Sequence, residues 1–569
     1  MNKIEPEPFI RSERRWWLLV ALISLMAVLA AATRWILYHT YTINWDEAFY
    51  FNQALNNIRI LHSGNLRHIG GMILIGSPSR PPAYRLLVLP FLLLFGHSIA
   101  VARFMTLGLT SLSAWFIYAC TRRISGAVAP IVAVLVFCLS SEVVLDSTYF
   151  STEGPLFLGT AAMLYFLIAG WAGEAEHKAS WIGLGLAVGL GLLAKMTFFL
   201  VAFPLLAFSA VEVYRRHSRV RSMTPLLKAG ILASLVAGPW WLLNFRQAFA
   251  YATYARGFVR HSYGSPSPAT WAKWLGTIFI ALFGPGVSIF IALVLIVVMW
   301  RRKELVWGRG EFCGIKAKVL MACACAGLPL TAMQVSGTNH NLRFLSPAII
   351  PLAIAVGVLS EAIGLARSLR FLVVSSTLFF AQVGILVAPV LFPNGQAIDP
   401  GVISGTRVRL MTSELPWRVF ARYPQWDWKP LWEISLACGV ETPKISYLGN
   451  GRAFNIDQLS YPWFAQGVAA PTVVWLWQYE KGALNWQEVM ATAGETDMAL
   501  TAPGYFGQPT DSGDLDNQHN AEFANRLSQD PRFSAPIRLK VGRFEPVEVL
   551  VFVKKTLACR SPYKTFTEK

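Results

Sequence analysis

The amino-acid sequence predicts an α-helical polytopic membrane protein that carries a C-terminal extracytoplasmic α/β domain. Three observations lead there. Of 569 residues, 54% are hydrophobic and only 14% charged, and the mean hydropathy is +0.45, whereas charged residues make up about a quarter of a soluble chain. Residues 1–393 hold 32 Lys+Arg against 14 Asp+Glu, while residues 394–569 hold 18 of each, so the whole net charge of +18 lies in the first part. That part is a succession of apolar runs, each near the ~20 residues that cross a bilayer, with basic residues gathered in the loops between them. A disordered chain, a fibrous repeat and a purely cytosolic enzyme are excluded. The positive balance follows from loop charge and needs no nucleic acid to explain it.

The first run, 16–38, follows Arg11, Arg14 and Arg15 and has no small-residue cleavage site after it. It reads as a retained span with a cytoplasmic N-terminus rather than a signal peptide. Further runs lie at 98–120, 126–145, 154–172, 179–193, 196–214, 226–243, 274–300, 315–335, 342–365 and 371–391, which gives eleven spans. The stretch Leu86 to Phe95 is too short to cross and is expected to be a re-entrant or interfacial helix in a large first outer loop, 39–97. With that choice every basic cluster falls inside: Arg122 with Arg123, the run from Arg215 to Lys228, the run from Arg301 to Lys318, and Arg367 with Arg370.

An odd number of spans places 394–569 on the outer face of the cytoplasmic membrane. There, short apolar segments such as Lys444 to Leu448 and Thr472 to Trp477 alternate with helix-compatible stretches such as Trp486 to Ala493, the pattern of an α/β domain. The expected domains are therefore 1–393 in the membrane and 394–569 outside it. Of seven cysteines, only Cys438 and Cys559 fall in the outer domain. A disulfide between them and two buried thiols are both compatible with the sequence.

Ionisable groups at a bilayer are costly and therefore candidates for function. The outer-face acids of the membrane part are Asp46, Glu47, Glu142, Asp146 and Glu153. Asp46 as the N-cap of a helix through Leu55 is the structural alternative; a cap accounts for one acid of the pair and leaves Glu47 unexplained. The basic residues expected on the same face are Arg59, Arg67, Arg80, Arg85 and Arg103, then Lys195 in a tight turn and Arg343 just after His340. Together they suit a phosphate or pyrophosphate attached to a lipid. Arg59 and Arg67 read more simply as anchors to lipid headgroups. Lys195 and Arg343 lie in outer turns, against the charge bias of the other loops.

The order of these residues resembles the membrane glycosyltransferases of the GT-C fold, in the branch of the dolichyl-phosphate-mannose protein mannosyltransferases and the bacterial lipid A aminoarabinose transferase. The resemblance rests on Asp46-Glu47 followed by Phe49-Tyr50, Arg80-Pro81-Pro82-Ala83-Tyr84, Phe95-Gly96-His97-Ser98 leading to Arg103, and Glu153-Gly154-Pro155-Leu156. It continues through the Gly-Leu-rich turn ending in Lys195, Pro239-Trp240 and Arg343-Phe344-Leu345-Ser346-Pro347, covering most of residues 30–355. Two departures stand out: Glu153 replaces an Asp, and Ala194-Lys195-Met196 replaces Thr-Lys-Gly. The resemblance implies an inverting glycosyltransferase of the bacterial inner membrane, working on its periplasmic face with a polyprenyl-phosphate-linked sugar as donor. The acceptor it implies is a glycan, a lipid or a protein.

A sugar on polyprenyl phosphate carries its own stable leaving group, so one carboxylate suffices. Asp46 is expected to be the general base, with Glu47 and Glu153 orienting the acceptor. Arg343 and Lys195, with Arg80, Arg85, Arg103 and His340, are expected to bind the donor and its departing phosphate. A divalent cation (Mg, Mn or Ca) on Asp46 and Glu153 is compatible with this chemistry and not required by it; no His/Cys spacing suggests zinc. The competing class is a lipid-linked glycan transporter without transferase chemistry. Transporters usually place charges at mid-membrane on broken helices in repeated halves, whereas this sequence has no clear repeat and its acids cluster at one face. A non-catalytic subunit of the same fold would be expected to have lost the Asp46-Glu47 pair.

Overall fold

In the computed structural model the described residues are 8–42, 45–171, 178–217, 223–263, 267–301, 311–336, 342–362, 368–391, 402–403, 406–407, 426–449, 454–476, 484–503, 513–542, 547–557 and 559. The chain opens with α1 (Pro8–Tyr38), then α2 (Trp45–His62), α3 (Leu66–Ile75), α4 (Ala83–Leu87) and α5 (Leu89–Phe95). Next come α6 (Ile99–Ile124), α7 (Ala129–Cys138), α8 (Ser141–Thr148), α9 (Glu153–Ala169), α10 (Lys178–Ala194), α11 (Phe198–His217) and α12 (Thr224–Tyr263). The helical part closes with α13 (Pro268–Phe283), α14 (Pro285–Trp300), α15 (Glu311–Ser336), α16 (Ser346–Ala362) and α17 (Leu369–Leu391). Among the described residues six helices are long and apolar enough to cross a membrane, or seven if α7 and α8, bent by 64°, form one span.

Where described, all eleven apolar runs of the sequence are largely helical, with two interruptions and one extension. The run at 126–145 is interrupted between α7 and α8, and the run at 274–300 is interrupted at Gly284, where the φ of +78° and the following Pro285 end one helix and start the next. The run at 226–243 belongs to a much longer helix, since α12 continues to Tyr263.

The chain forms two compact units. One comprises Met1–Tyr38, Gly70–Leu87 and Arg103–Arg422; the other comprises His39–Ile69, Val88–Ala102 and Tyr423–Lys569. In the first unit, α10 packs closely on both α9 and α12. Its sequence, KASWIGLGLAVGLGLLA, supplies the small residues that let helix backbones approach. A Cβ on Gly159 of α9 would lie 2.8 Å from the Cα of Gly191 on α10, and one on Gly185 would lie 2.8 Å from the carbonyl of Ala229 on α12. At the opposite end of α7, the Glu361 carboxylate accepts the N–H groups of Gly126 at 2.5 Å and Ala129 at 3.2 Å, fixing α16 to the start of α7.

The second unit contains α18 (Lys429–Ala437), α19 (Ile456–Ala465), α20 (Trp486–Gly494) and α21 (Gly513–Gln529). Strands β1 (Val402–Ile403) and β2 (Thr406–Arg407) form a separate antiparallel ribbon in the first unit. The sheet of the second unit is built from β3 (Lys444–Leu448), β4 (Thr472–Trp475), β5 (Met498–Thr501), β6 (Ile537–Val541) and β7 (Val547–Val553), in the order β4-β3-β5-β7-β6. β3 is parallel to β4 and β5, while β7 runs antiparallel to β5 and β6. Alternate strand residues face opposite ways. Ile445, Tyr447, Leu500 and Val551 share a core with Leu431, Leu459 and Trp463 of α18 and α19. Leu448, Ala499 and Phe552 pack on the other face against Val489, Phe523 and Leu527 of α20 and α21.

The sequence division at 393 and these units differ in two respects: β1 and β2, beyond 393, belong to the first unit, and the second unit also takes in His39–Ile69 and Val88–Ala102. The reason for the second is local. α2 packs along α19, where Thr42 Oγ1 donates to Gln458 Oε1 at 2.8 Å and Gln458 Nε2 donates back to the Thr42 carbonyl at 3.0 Å. Asn52 Nδ2 donates to the Asp457 carbonyl at 2.8 Å, and the rings of Phe51 and Tyr461 lie 5.9 Å apart. Cys438 and Cys559 form a disulfide across 121 residues, which resolves the choice the sequence left open.

Two stability predictions follow from this packing. Gly159→Ala overfills the α9–α10 contact and should cost about 1–3 kcal/mol, whereas Gly230→Ala on α12, with nothing within 4 Å of its Cβ, should change stability by less than about 0.5 kcal/mol; thermal unfolding of the purified proteins distinguishes them. Replacing Cys438 and Cys559 by alanine removes a cross-link of 121 residues and should destabilise the C-terminal domain by about 4–5 kcal/mol in chain-entropy terms, seen as earlier proteolysis of residues 426–557 on heating.

Candidate functional site

In the first unit, three carboxylates and two cations converge. Glu153 is the first residue of α9, where the helix N-terminus favours a negative charge, and Thr152 Oγ1 donates to its Oε2 at 3.2 Å. Lys195 lies in the three-residue turn between α10 and α11, closed by the Phe198 N–H donating to the Lys195 carbonyl at 3.0 Å. The Trp241 indole donates to the Leu192 carbonyl at 3.1 Å and ties α12 to the end of α10. So placed, Lys195 Nζ donates to Glu153 Oε1 in an ion pair whose side chains are 14% and 1% exposed.

Arg343 reaches the same place from a single 3-10 turn, Leu342–Phe344, which ends where Ser346-Pro347 starts α16. Ser346 Oγ donates to the Arg343 carbonyl at 2.9 Å and locks the turn. Phe344 lies beside both cations: Lys195 Nζ is 4.3 Å from its ring centroid and Arg343 Cζ 5.5 Å. Cations over an aromatic face gain electrostatic attraction without requiring a second anion.

α8 adds two acids that are expected on the outer face but are not among the site residues expected from the sequence. Glu142 and Asp146 are one helical turn apart, so they share a face, and each is 2% exposed. Glu142 lies within electrostatic reach of Glu153, Arg343 and Lys195, and Asp146 within reach of Glu142, Glu153 and Lys195, with the Ser346 side chain against it. Glu142 Oε2 and Asp146 Oδ2 are buried with no hydrogen-bond partner among the described residues. The signal in the sequence was the i, i+4 spacing of two acids directly after Ser140-Ser141.

The other expected residues are placed by their own packing. Asp46 and Glu47 belong to the second unit, in the first turn of α2, which starts at Trp45; Asp46 is thus inside the helix rather than its N-cap. Both acids favour that helix end, and Glu47 is fully buried. The Arg85 guanidinium donates to the carbonyls of Met72 at 2.6 Å and Ile73 at 3.4 Å, near the end of α3. Arg103, fully buried, lies over the Trp35 ring at 4.9 Å. Arg80 donates to the Tyr251 hydroxyl at 2.7 Å. His340 lies outside the described residues. Among the described residues, no group of three or more His, Cys, Asp or Glu side chains is arranged to hold a metal ion.

Residues 79–242 match the sequence pattern of the family described as dolichyl-phosphate-mannose-protein mannosyltransferase. An undecaprenyl phosphate-alpha-4-amino-4-deoxy-L-arabinose arabinosyl transferase of Edwardsiella ictaluri (strain 93-146) is 35% identical over 154 residues, which are 26% of this chain. The chain spans 27% of the length of that curated relative. The crystal structures of ArnT from Cupriavidus metallidurans, one bound to undecaprenyl phosphate and one in the apo state, match with TM-scores of 0.55 and 0.56 at 13% identity. They cover 94% of this chain and 98% and 97% of theirs. The chain has the GT-C fold. It is a multi-pass membrane protein, and the resemblance read from its motifs is borne out. Within this GT-C chain the family pattern spans Arg80, Arg85, Arg103, Glu153 and Lys195; Asp46 precedes it and Arg343 follows it.

Removing one partner of a buried ion pair leaves the other uncompensated, at a cost of about 3–5 kcal/mol. Lys195→Met is therefore expected to lower the unfolding temperature more than Lys195→Met with Glu153→Gln, which removes both charges. Calorimetry of the three proteins in one detergent checks the order.

Proposed function

We propose that the protein is an inverting glycosyltransferase that takes a monosaccharide from a polyprenyl-phosphate carrier at the outer face of the bacterial cytoplasmic membrane. The acceptor is a hydroxyl of a glycolipid, polysaccharide or protein. The observation that carries the reading is the convergence of Lys195 and Arg343 on Phe344, with Glu153 held against the lysine. Two cations on one side of a buried site suit a phosphate, and the carboxylate paired with Lys195 is the counter-anion that a phosphate displaces. The match to ArnT of Cupriavidus metallidurans, a protein crystallised with undecaprenyl phosphate, supports the same class of donor.

In this mechanism the acceptor oxygen attacks the anomeric carbon opposite the phosphate. The bond from that carbon to the phosphate oxygen breaks, its electron pair leaves with polyprenyl phosphate, and the configuration inverts. Arg343 and Lys195 stabilise the departing anion, so no general acid is needed. The acceptor proton passes to Asp46, assigned as base from its sequence context. Glu47 and Glu153 orient the acceptor. No step runs through a metal ion.

Transfer from membrane-extracted lipid-linked sugars tests these roles. Asp46→Asn keeps size and hydrogen bonding but cannot take the proton, and a fall of about 100- to 10,000-fold is expected; near-wild-type transfer by a folded Asp46→Asn protein would remove the base. Arg343→Lys keeps charge but loses the planar fork, so it should raise KM for the donor, and Arg343→Ala should raise it further. For topology, reporters fused after Gln396 and after Arg302 should report opposite sides of the membrane, with the first outside. A cytoplasmic signal after Gln396 would contradict the proposed orientation.

A further inference from the structure

The two interrupted helix pairs of the first unit meet at one buried side chain. Leu139 follows α7, and Phe283 ends α13, so their carbonyls have no partner within their own helices, and the Gly286 N–H in the first turn of α14 likewise has none. In a membrane-spanning bundle, water does not take up such groups and protein must. Gln382 of α17, fully buried, serves all three. Its Nε2 donates to the Leu139 carbonyl at 3.0 Å and the Phe283 carbonyl at 3.2 Å, with Ser141 Oγ at 3.3 Å; its Oε1 accepts the Gly286 N–H at 3.1 Å.

Two carbonyls on one side and an N–H on the other set which way the carboxamide points, and only a carboxamide of this length supplies both. Glutamate would keep the acceptor and lose the donors; leucine would lose all of them. The neighbourhood is built around it. Gly284 has a φ of +78°, and a Cβ there would lie 2.1 Å from Gln382 Nε2 and 2.6 Å from Ser141 Oγ. A Cβ on Gly286 would lie 2.4 Å from the Leu378 carbonyl of α17.

What this clamp holds is the start of α8. Leu139 and Ser141 bracket Ser140, the residue before the helix, and the next residue is Glu142, with Asp146 one turn on. α13, whose end is the second group held, packs against α8 and against the Leu342–Phe344 turn. We infer that Gln382 is a positioning residue: it sets the height and rotation of α8 so that Glu142 and Asp146 face Glu153, Lys195 and Arg343. This inference rests on the donor-phosphate reading of that site, and Gln382 itself touches none of the reacting groups. A shift of about 1 Å at such a site is enough to cost about a hundredfold.

The test uses the full-length protein in lipid nanodiscs with undecaprenyl phosphate as the probe. Amide hydrogen exchange without the probe is compared in wild type, Gln382→Leu and Gln382→Glu. Exchange at residues 141–148 and 286–288 should rise about tenfold or more in Gln382→Leu and less in Gln382→Glu, with α10 and α12 unchanged. Affinity for undecaprenyl phosphate should change about tenfold in Gln382→Leu, because the two acids that share the site with Lys195 and Arg343 move. It should not change in Ser209→Ala, which removes a buried hydroxyl of α11 bonded only to the Leu205 carbonyl of its own helix. In a Glu142→Gln, Asp146→Asn background, Gln382→Leu should change binding no further, because the carboxyl groups through which it acts have been replaced. Unchanged exchange at 141–148, a uniform rise across all helices, or effects that multiply in the combined variant would each overturn the inference. If the wild type itself fails to bind undecaprenyl phosphate, the donor reading falls, and the exchange pattern alone then decides whether Gln382 holds α8.

Discussion

Charge inside a membrane protein persists only where opposite charge or hydrogen bonds meet it, because desolvation costs several kcal/mol per ion. The pairing of Lys195 with Glu153 answers that constraint, and much of the first unit is arranged around it. α10 must bring its C-terminal turn to the N-terminus of α9, which its glycines permit by letting the backbones of α9, α10 and α12 nearly touch. The turn carrying Arg343 must be short and fixed, which Ser346 and Pro347 ensure. Phe344 then gives both cations a face to rest on. A site held this way stays charged without a ligand, and its internal counter-anion is one a phosphate can replace.

The C-terminal domain has its own contribution to the chemistry proposed. It is a mixed sheet with helices on both faces, and one of those helices, α19, grips the segment at the start of α2 through Gln458 and Thr42. Asp46 and Glu47 therefore stand on a helix anchored to a disulfide-closed domain rather than on a free loop. A general base needs a fixed approach to its proton, and this anchoring supplies a rigid support.

Much of this was legible in the sequence. Hydropathy located the long apolar helices though not α3, and loop charge drew attention to Lys195 and Arg343, which the structure brings together at Phe344. Glu153 was marked by its place before Gly154-Pro155, and the structure pairs it with Lys195. Hydropathy averages across interruptions, however, so both broken helices passed as single runs; Gly284-Pro285 was a visible breaker, while Ser140-Ser141 was a weaker one. Glu142 and Asp146 were visible as acids, but their part in the cluster depends on the break that turns α8. Arg85 and Arg103 carried the right charge for a phosphate site, and the structure adds that one donates to carbonyls near the end of α3 and the other lies over Trp35. Residue type states what a group can bind; only the packing states what it already holds.

The most direct test of the central claim is an experimental structure of the full-length protein in lipid with undecaprenyl phosphate bound. The account predicts the phosphate in ionic contact with both Lys195 Nζ and the Arg343 guanidinium, beside Phe344, with the Glu153 carboxylate displaced from the lysine. A phosphate bound away from these two residues, with the Lys195–Glu153 pair intact, would contradict it.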